Sequence, residues 1–508
     1  MATGTYVVEV DWDNNGTFSG SAEVVTSRAL HVEFGRGRDV DSQLTGRSIA
    51  GTCQIILNNQ SGDYNSFNSA SPLTGSLLPG RLVQVRATGP TAGTLWRGYI
   101  DRIIPKPSVK GLDTAVIEAI GPLGFVNLKR VSLPMLVDTN AGTIIGSILD
   151  QAGWPTGTAY RDIDSATGTA PRRVWFNHVL ALDALRQIEE TEGGFLRESG
   201  NGRIVFENRH RRMTSPYTAS QATFTDSPTG TLVYMSVEQE DPLPFIFSEF
   251  IATVQPYTTG ALSTLWRLQD TGTLSPLIPA LGGAITLMAQ YPNPSSTVNA
   301  IGVASWTTPT ATVDYNLFTD DAGTGTNLNA AVALTLESFG EHLHFRFNNT
   351  GTADAYLTFI QARGVPLFAD APIQIMATGT GTAFGTRTYP NPSRFIPNIN
   401  EANRWGLWNL GIYQNPMVRY SMTYIANKDN AHLTQGILRE ISDRVTFIST
   451  GTRGNLGVTR QMIIESMKHV IDGDRTHTVT YYLADSAGFS GGWVMGSSNL
   501  TTNTKLVY

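Results

Sequence analysis

Apolar and polar residues alternate in short runs along the first 125 residues, and alternation with a period of two is the pattern of β-strands. Strands are predicted over 6–10, 30–34, 51–57, 82–87, 94–100 and 115–119. Turn residues such as Pro79 and Gly80 separate these runs. Several short strands at close spacing are typical of a sandwich or a closed barrel. We therefore predict a β-barrel domain over residues 1–125.

Residues 126–213 change to a helical period. Apolar residues at 144, 145, 148 and 149 share one face of a helix predicted over 141–152, and Gly153 ends it. A second helix is predicted over 178–192, followed by a hairpin over 195–198 and 203–207. Two helices and a hairpin indicate a small α+β domain.

Residues 214–390 return to a β-rich pattern with loops of Thr and Gly. Candidate strands lie at 332–337, 343–347 and 355–362, and residues 378–382 are predicted to be an exposed loop. We interpret this region as a β-rich domain and a candidate sandwich insertion.

Residues 391–508 are predicted to form a helix plus a β-barrel portion. The helix spans 398–413 with Asn400 as its cap, and strands follow at 418–425, 444–448, 461–469 and 479–483. A turn at 488–492, the stretch 493–496 and a last strand at 505–508 indicate a terminus tied into a sheet. The predicted fold class is mainly β and multi-domain, with two β-barrel-like domains, a small α+β domain and an additional β-sandwich-like region.

Composition narrows the class of protein. The 508 residues are too many for one core. Charged residues make up 15% of the chain, below the usual ~25%, which favours a subunit that buries much of its surface against neighbours. The net charge of −6 gives no basic footprint for nucleic acid. We expect no signal peptide and no stable membrane insertion, because no charged leader and no run of ~18 apolar residues is visible.

No known catalytic motif is present. The sequence has no H-E-x-x-H helix and no Walker-type glycine loop, and its one G-x-S-x-G stretch, GFSGG at 488–492, is interpreted as a turn because no helix is predicted after it. Its one cysteine, Cys53, lies in an alternating apolar stretch and is predicted to be a small buried side chain rather than a nucleophile. We predict no enzymatic activity and no cofactor.

Two groups of carboxylates could in principle supply the acid–base pair of a glycosidase. The first is Asp162 with Asp164, and the second is Glu189, Glu190 and Glu192. The glutamates fall on the polar side of the second predicted helix, where a solvated face is the ordinary interpretation.

The turn after residue 10 matches the first half of a calcium loop, D-x-D-x-N-G. Asp11, Asp13 and Asn15 are the candidate metal ligands. The second half fails, because Ala22 occupies the twelfth position and Glu23 comes one residue later. Two interpretations stay open: a metal site, or a turn held by its own Asx side chains.

Three further polar clusters have both a chemical and a structural interpretation. His342 and His344 share one face of a strand but lack a third ligand. His469 and His477, with Asp472 and Asp474, suit either a catalytic cluster or the ends of a hairpin. The basic run 209–212 is predicted to be a solvated or subunit-contacting loop.

The order of several segments resembles the minor tail proteins of tailed bacteriophages, in particular the baseplate or tail-tip hub family. The segments are the DWDNNG turn, Gly-Arg-Gly-Arg at 35–38, AGTCQIILNN at 50–59, SGDYN at 61–65, LWRGYI at 95–100, LDQAGWP at 149–155, ALRQI at 184–188, GNGRIVF at 200–206, and the ending from WVMG at 493–496 to LVY at 506–508. The resemblance covers most of the chain and is least specific over 235–390.

The resemblance implies a structural virion protein at the tail tip. In this family, two β-barrel hub domains per subunit let a homotrimer form a ring that adapts the sixfold tail tube to a threefold tip. The implied partners are the distal tail protein, the tape-measure protein and receptor-binding or tail-fibre proteins. Contact with DNA or with host surface glycan during ejection is left open. A cell-wall-cleaving extension after Tyr508 is not expected.

Two other functions stay open. A distal tail or adhesin-carrying protein could use a carbohydrate-binding domain over 235–390, with Trp266, Trp306 and Tyr315 stacking on sugar rings, although these aromatics also suit a core. A glycan-active enzyme would need a convergent carboxylate pair.

Overall fold

The structure is a computed structural model that describes residues 5–38, 48–89, 91–164, 169–240, 246–268, 275–292, 300–379, 385–391, 393–415, 418–451, 456–473, 475–486, 489, 492–493 and 505–506. Asp474, most of the predicted 488–496 stretch, residues 380–382 of the predicted loop and residues 507–508 lie outside this set. The chain is mainly β, as predicted.

Six antiparallel strands form the N-terminal region: β1 (Thr5–Val10), β2 (Ala29–Arg38), β3 (Ser48–Asn58), β4 (Leu82–Thr88), β5 (Gly93–Lys106) and β6 (Thr114–Ile120). Their order in the sheet is β1-β4-β5-β6-β3-β2. Alternate residues, such as Val83 and Val85 on β4 and Ile55 and Leu57 on β3, are fully buried. The period of two seen in the sequence is therefore the period of the core-facing side chains.

The small α+β region comprises α1 (Pro122–Val126), β7 (Arg130–Val137), α2 (Ala141–Gln151), β8 (Arg161–Ile163), β9 (Arg173–Leu180), α3 (Ala181–Glu192), β10 (Phe195–Glu198) and β11 (Ile204–Glu207). The Asn140 side chain caps α2 by accepting from the Thr143 N–H at 2.8 Å. Gly193 ends α3 at φ +67°. The predicted helix start at 178 was three residues early, because His178 lies on β9, which pairs with β7.

Two strands, β12 (Thr223–Thr225) and β13 (Ser236–Glu240), precede a β-rich segment that we call the insertion, residues 246–390. Its strands are β14 (Glu249–Val254), β15 (Tyr257–Thr259), β16 (Ser263–Arg267), β17 (Leu277–Ile278), β18 (Gly283–Gln290), β19 (Ala300–Trp306), β20 (Tyr315–Phe318), β21 (Val332–Ser338), β22 (His342–Asn349), β23 (Ala355–Ala369), β24 (Ile373–Thr378) and β25 (Thr388–Pro390). The long strand β23 pairs with β15, β16, β17, β19 and β20. Two three-stranded sheets, β18-β22-β21 and β24-β14-β25, complete the insertion.

The C-terminal region comprises α4 (Ile399–Tyr413), β26 (Arg419–Ile425), α5 (Asn430–Leu438), β27 (Arg444–Ser449), β28 (Val458–Ile471), β29 (His477–Asp485), and a short parallel pair, β30 (Gly492–Trp493) and β31 (Lys505–Leu506). The cap of α4 is Asn398, which accepts from the Glu401 N–H at 2.9 Å, and not Asn400 as predicted. The last two described strands thus pair with each other.

The N-terminal and C-terminal regions share one sheet. Strand β2 pairs with β28 over Val32–Gly37 and Ser466–Ile471, and the order continues β28-β29-β26-β13, with β27 joining β28 to β12. The path of the described strands is open, running from β1 to β13, rather than closed into a barrel.

Topology also explains how the insertion joins the chain. Strands β13 and β26 are antiparallel neighbours, and the whole insertion and α4 lie between them in sequence. Strands β12 and β13, which the sequence placed with the domain over 214–390, pair with C-terminal strands instead. Local periodicity does not show which strands pair when the partners lie far apart in sequence. The predicted domain boundary at residue 214 therefore did not separate β12 and β13 from the insertion.

Candidate functional site

The pairing of β2 with β28, which we call the seam, is the contact that makes one sheet from two regions. Gly37 lies in the seam at φ +116°, a backbone conformation that favours glycine. A Cβ at this position would come within 2.5 Å of the Glu465 carbonyl oxygen. The Gly-Arg-Gly-Arg stretch at 35–38 therefore allows the two strands to approach.

Buried ion pairs surround the seam and connect it to the hairpin β10–β11. Arg212 forms a bidentate pair with Glu465, with Nη1–Oε1 at 2.6 Å and Nη2–Oε2 at 3.0 Å. Arg197 donates to Glu207 at 2.7 Å, and the Ser442 hydroxyl donates to the other Glu207 oxygen at 2.6 Å. Bidentate arginine pairs fix geometry as well as charge.

The same network reaches the N-terminal strands through Glu440. The Arg36 guanidinium on β2 donates to this carboxylate, and Arg197 lies 3.4 Å from it. The Gly200 N–H in the hairpin turn also donates to Glu440, at 3.0 Å. Residues of three regions therefore meet at one partly buried acid, Glu440. We call the four arginines Arg36, Arg197, Arg209 and Arg212, together with the acids that pair with them, the junction.

Arg209 extends the junction to two helices. Its Nη2 lies 2.7 Å from Glu401 on α4, and its Nε lies 3.4 Å from Glu192 at the end of α3. Arg209 and Arg212 are both buried. The prediction that residues 209–212 form a solvated or subunit-contacting loop was wrong within this chain, because the run pairs with buried acids.

The glutamates of α3 correct a second prediction. Glu189, Glu190 and Glu192 were expected on a solvated face, but all three are buried. Glu189 accepts from the Leu196 N–H at 2.6 Å and from Arg186 at 2.9 Å. The polar side of this helix faces the junction rather than water.

Electrostatics keep the junction ionised. Burial alone would raise the pKa of Glu465, but the Arg212 and Arg38 guanidiniums beside it lower that pKa below its usual value. The pKa of Glu440 is lowered in the same way by Arg36 and Arg197 against the effect of burial. Glu465 and Glu440 are therefore charged partners of arginines, and removing either partner of such a pair would leave an uncompensated charge.

Glu198 connects the hairpin to the N-terminal sheet in a different way. It accepts from the Gly51 N–H at 2.8 Å and from the Leu123 N–H at 2.6 Å. Burial raises its pKa to about 7. A Cβ at Gly121 would lie 2.0 Å from this carboxylate, so the hairpin tip fits only against glycine.

A chain of buried rings lies across the seam. The Tyr6 hydroxyl lies 2.8 Å from His477 Nδ1, and His477 Nε2 lies 3.0 Å from His469 Nδ1. The Phe34 ring stacks on His469 with centroids 4.8 Å apart. Burial lowers the pKa of His477 to about 3 and lowers that of His469 well below its usual value. These histidines are neutral packing groups at neutral pH.

The predicted cluster around these histidines does not converge. Asp472 lies 3.0 Å from His31 on the exposed side, while His469 and His477 face the interior of the hairpin β28–β29. Of the two sequence interpretations, the hairpin is the one that the structure supports.

The candidate metal ligands lie in the turn after β1. Asp11 accepts from the Asn15 N–H at 3.0 Å and from the Gly16 N–H at 2.8 Å. The Asn15 side-chain oxygen accepts from the Thr17 N–H and hydroxyl, both at 2.7 Å. Asp11 and Asp13 come together with Glu23, a residue that the sequence template passed over. Asn15 instead holds the turn.

The other predicted sites are structural. Asp162 and Asp164 both pair with Arg211, at 2.8 and 2.9 Å. Cys53 is buried, which raises the pKa of its thiol.

The two histidines of β22 contact each other, with ring centroids 4.9 Å apart, and both contact the Phe339 ring. His342 stacks on His178 with centroids 5.3 Å apart, and His344 lies 3.4 Å from Glu337. Glu341, directly before His342 in sequence, accepts instead from Trp175 Nε1 at 2.9 Å. No described side chain adds a third metal ligand to this pair.

The aromatic residues considered for sugar stacking pack inside the insertion. The Trp266 ring stacks on Phe345 with centroids 6.2 Å apart. Trp306 Nε1 donates to the Phe339 carbonyl at 2.8 Å, and Tyr315 is 9% exposed. These contacts are those of core residues.

Sequence reasoning missed the junction entirely. Several of its pairs join residues far apart in sequence, such as Arg212 with Glu465, 253 positions apart, and Arg209 with Glu401, 192 positions apart. The one available signal was that charged residues were few and that several stood beside glycines or strand ends. That signal does not identify partners.

The fold is mainly β with several sheets, and the junction fixes separate regions of the chain to one another. At the level of the fold, the chain is similar to the tail protein from Neisseria meningitidis MC58, with a TM-score of 0.52 and 10% identity over 95% of this chain and 98% of that one. It also matches the 43 kDa tail protein of prophage MuSo2 from Shewanella oneidensis, with a TM-score of 0.49 and 10% identity over 96% and 99% of the two chains.

The chain therefore has the fold of a tail protein, as the resemblance in its sequence implied. At 10% identity this likeness concerns the fold and transfers no residue roles. No protein-family model and no curated protein matches the sequence. None of the described helices is long and apolar enough to cross a membrane.

Proposed function

We propose that this chain is a structural virion protein of a phage tail tip, where a homotrimer forms a hub ring that adapts the tail tube to the tip. The observation that supports this most is the single sheet built from two β regions across the seam. A subunit with two β regions held at a fixed angle can contribute two similar segments to a ring, which is what a threefold-to-sixfold adaptor requires.

The junction supports the same role by fixing the regions to one another. Buried ion pairs, of which Arg212 with Glu465 is bidentate, specify one arrangement more strongly than apolar contacts do. A ring adaptor must transmit load along the tail without its domains rotating. We infer that the junction serves this rigidity.

The last strand of the sheet is the proposed subunit contact. Strand β13 ends the strand order, and Glu238 and Glu240 on it are exposed. Met235, directly before it, is 60% exposed. An exposed strand at the edge of a long sheet has backbone groups that can pair with another chain. A neighbouring subunit at this edge would satisfy those groups and bury the Met235 side chain.

The partners follow from this role. A hub ring would contact the distal tail protein on one side, the tape-measure protein in the channel and receptor-binding or tail-fibre proteins at its periphery. The net charge of −6 is compatible with a channel that lets DNA slide rather than bind. We propose no catalytic activity for the chain.

Native mass spectrometry of the purified chain tests the ring. We expect a trimer, and we expect Glu238→Lys combined with Glu240→Lys to shift it to monomer. The matched control is Glu337→Lys, on an exposed strand of the insertion, where the trimer should persist. A wild-type chain that stays monomeric at all concentrations, or a trimer untouched by the double variant, would contradict the proposed contact.

The alternative function, a carbohydrate-binding domain in the insertion, has no support from the three aromatic residues, because their rings are used in the core. Binding of a soluble saccharide that is lost on Trp266→Ala, with the insertion still folded, would revive it.

A further inference from the structure

Three carboxylates converge at the outer end of β1. One oxygen each from Asp11, Asp13 and Glu23 lies within 4.8 Å of the others. Asp11 is 1% exposed and Glu23 is 2% exposed. Two buried carboxylates at this spacing repel one another unless a proton or a cation lies between them.

Glu23 is brought to the turn by the returning chain. The Val10 N–H donates to the Glu23 carbonyl at 2.9 Å, which places the residue against the end of β1. One side-chain oxygen, Oε2, accepts from the Gly20 N–H at 2.6 Å. The carboxylate is therefore held in one orientation by its own loop.

The other oxygen of Glu23, Oε1, provides a second observation. Glu23 Oε1 is buried and has no hydrogen-bond partner in the part of the chain that the structure describes. A buried carboxylate oxygen without a partner is costly, and native structures satisfy such atoms by a hydrogen bond, a water or an ion. This atom is a second indication, independent of the clustering, that something binds here.

No basic side chain serves as that partner among the described residues. None of the described ion pairs within 4.0 Å involves Asp11, Asp13 or Glu23. Arg97 lines the same cleft as Asp11, but its guanidinium lies over the Phe18 ring at 6.0 Å. The negative charge of the cluster is thus not neutralised by an arginine or lysine.

We propose that Asp11, Asp13 and Glu23 form a divalent-cation site, and that its chemistry selects Ca²⁺. Oxygen ligands at ~2.3–2.6 Å from Ca²⁺ lie up to about 5 Å apart across the ion, which accommodates the observed spacing. An all-carboxylate set favours a hard cation over zinc or copper. Glu23 takes the place that the sequence template gave to Asn15, whose side chain is committed to Thr17.

Bound Ca²⁺ would join the end of β1 to residues 23–25, which run alongside it. The backbone of residues 23–25 forms hydrogen bonds with β1, and the Val25 N–H donates to the Val8 carbonyl at 2.9 Å. An ion held by Asp11 and Glu23 would join both sides of that contact. The site thus stabilises the outer strand of the long sheet.

Terbium luminescence provides a direct test, because Trp12 stands between two of the ligands and sensitises a lanthanide bound beside it. We expect Tb³⁺ emission excited through tryptophan, displaced by Ca²⁺ more readily than by Mg²⁺. Calorimetry should give a Ca²⁺ dissociation constant on the order of 10⁻⁵–10⁻³ M, the range of extracellular modules and weaker sensors.

Three variants of the full chain decide the ligand set. Asp13→Asn, at an exposed position, and Glu23→Gln should each weaken Ca²⁺ binding by about tenfold or more. The matched control is Asp320→Asn, because Asp320 also accepts from a backbone N–H in an exposed turn, that of Thr324 at 3.0 Å, but lies outside the cluster. Ca²⁺ should raise the melting temperature of wild type and control only.

Absence of Ca²⁺ binding at millimolar concentration would overturn the proposal. So would binding without tryptophan-sensitised emission, or equal affinity in wild type and Asp13→Asn. If Glu23→Gln fails to fold, the exposed Asp13→Asn variant still decides the question.

Discussion

Across the junction, four buried arginines meet carboxylates from several regions of the chain, whereas the insertion pairs its own Arg363 with its own Asp314 beside a core of aliphatic and aromatic side chains. Arginine–carboxylate pairs accept only one alignment, while apolar side chains tolerate repacking. The difference indicates that the chain fixes the angle between its two β regions strictly and carries the insertion as a unit with its own stability.

The insertion packs on α4 through a shared apolar cluster and on the α+β region through Trp175. Trp175 on β9 packs edge-on against Tyr257 and donates to Glu341. The Gly340 N–H donates to the Leu133 carbonyl at 3.2 Å, and a Cβ at Gly340 would meet the Trp175 side chain at 2.5 Å. These contacts attach the insertion to the α+β region, and they contain none of the bidentate pairs of the junction.

The largest effect is expected at the junction. Arg212→Ala leaves Glu465 buried and unpaired, so we expect the free energy of unfolding to fall by about 3–5 kcal/mol, measured by urea denaturation. The control Arg28→Ala removes a pair in which the arginine side chain is 39% exposed and should cost at most about 1 kcal/mol. Equal losses in the two variants would contradict the distinction drawn between junction and surface.

A cavity in the insertion should have a local effect. Leu357→Ala, at a fully buried position on β23, should destabilise the insertion by about 2–5 kcal/mol. Hydrogen exchange should then accelerate in β22 and β23 and stay unchanged in β2 and β28. Faster exchange throughout the sheet would show that insertion and junction unfold as one unit.

Acid should weaken the seam through its two histidines. His469 and His477 have lowered pKa values in the folded chain, so the unfolded chain binds more protons below pH 6.5, and stability falls as the pH drops from about 6.5 towards the folded value of about 3 for His477. We expect a loss of roughly 1–2 kcal/mol between pH 6 and pH 5.

The matched variant for this effect is His477→Gln, which keeps a polar side chain beside Tyr6 and does not titrate. Its stability should depend less steeply on pH than that of the wild type over the same interval. An unchanged slope would mean that these histidines do not control the acid response.

The smallest effect concerns thiol reactivity. Cys53 on β3 is buried next to the strand of the seam, and burial raises its pKa, so a thiol reagent should modify it only when this part of the sheet opens. In a Cys53→Ala background, Ala289→Cys reports on opening of the insertion. We expect the thiol at position 289 to be labelled about tenfold or more faster than Cys53 in the wild type, as measured by mass spectrometry. Equal rates would remove the proposed difference in local stability.

Periodicity predicted the elements of this fold well where the signal was local. The helix over 141–152 and the hairpin over 195–207 follow from apolar spacing and glycine stops, and the structure has both. The start of α3 was misplaced because Leu180, which has no side-chain cap, gives no N-terminal signal.

Charges were harder to interpret from the sequence. A glutamate on the polar side of a helix looks solvated whether its partner is water or an arginine elsewhere in the chain, so Glu189 and Glu192 were misassigned. Glu23 was set aside because a linear calcium-loop template counts positions, whereas the fold brings this residue back to Asp11 across a strand edge. In both cases the missing information was tertiary.

The central claim is that the chain forms a hub at the tail tip, and gold-labelled antibody on tailed particles from the host that encodes it tests this most directly. Electron microscopy should show label confined to the tip distal to the head, on intact particles. Label along the tail tube or at the head, or an antigen found free of any particle, would contradict the account.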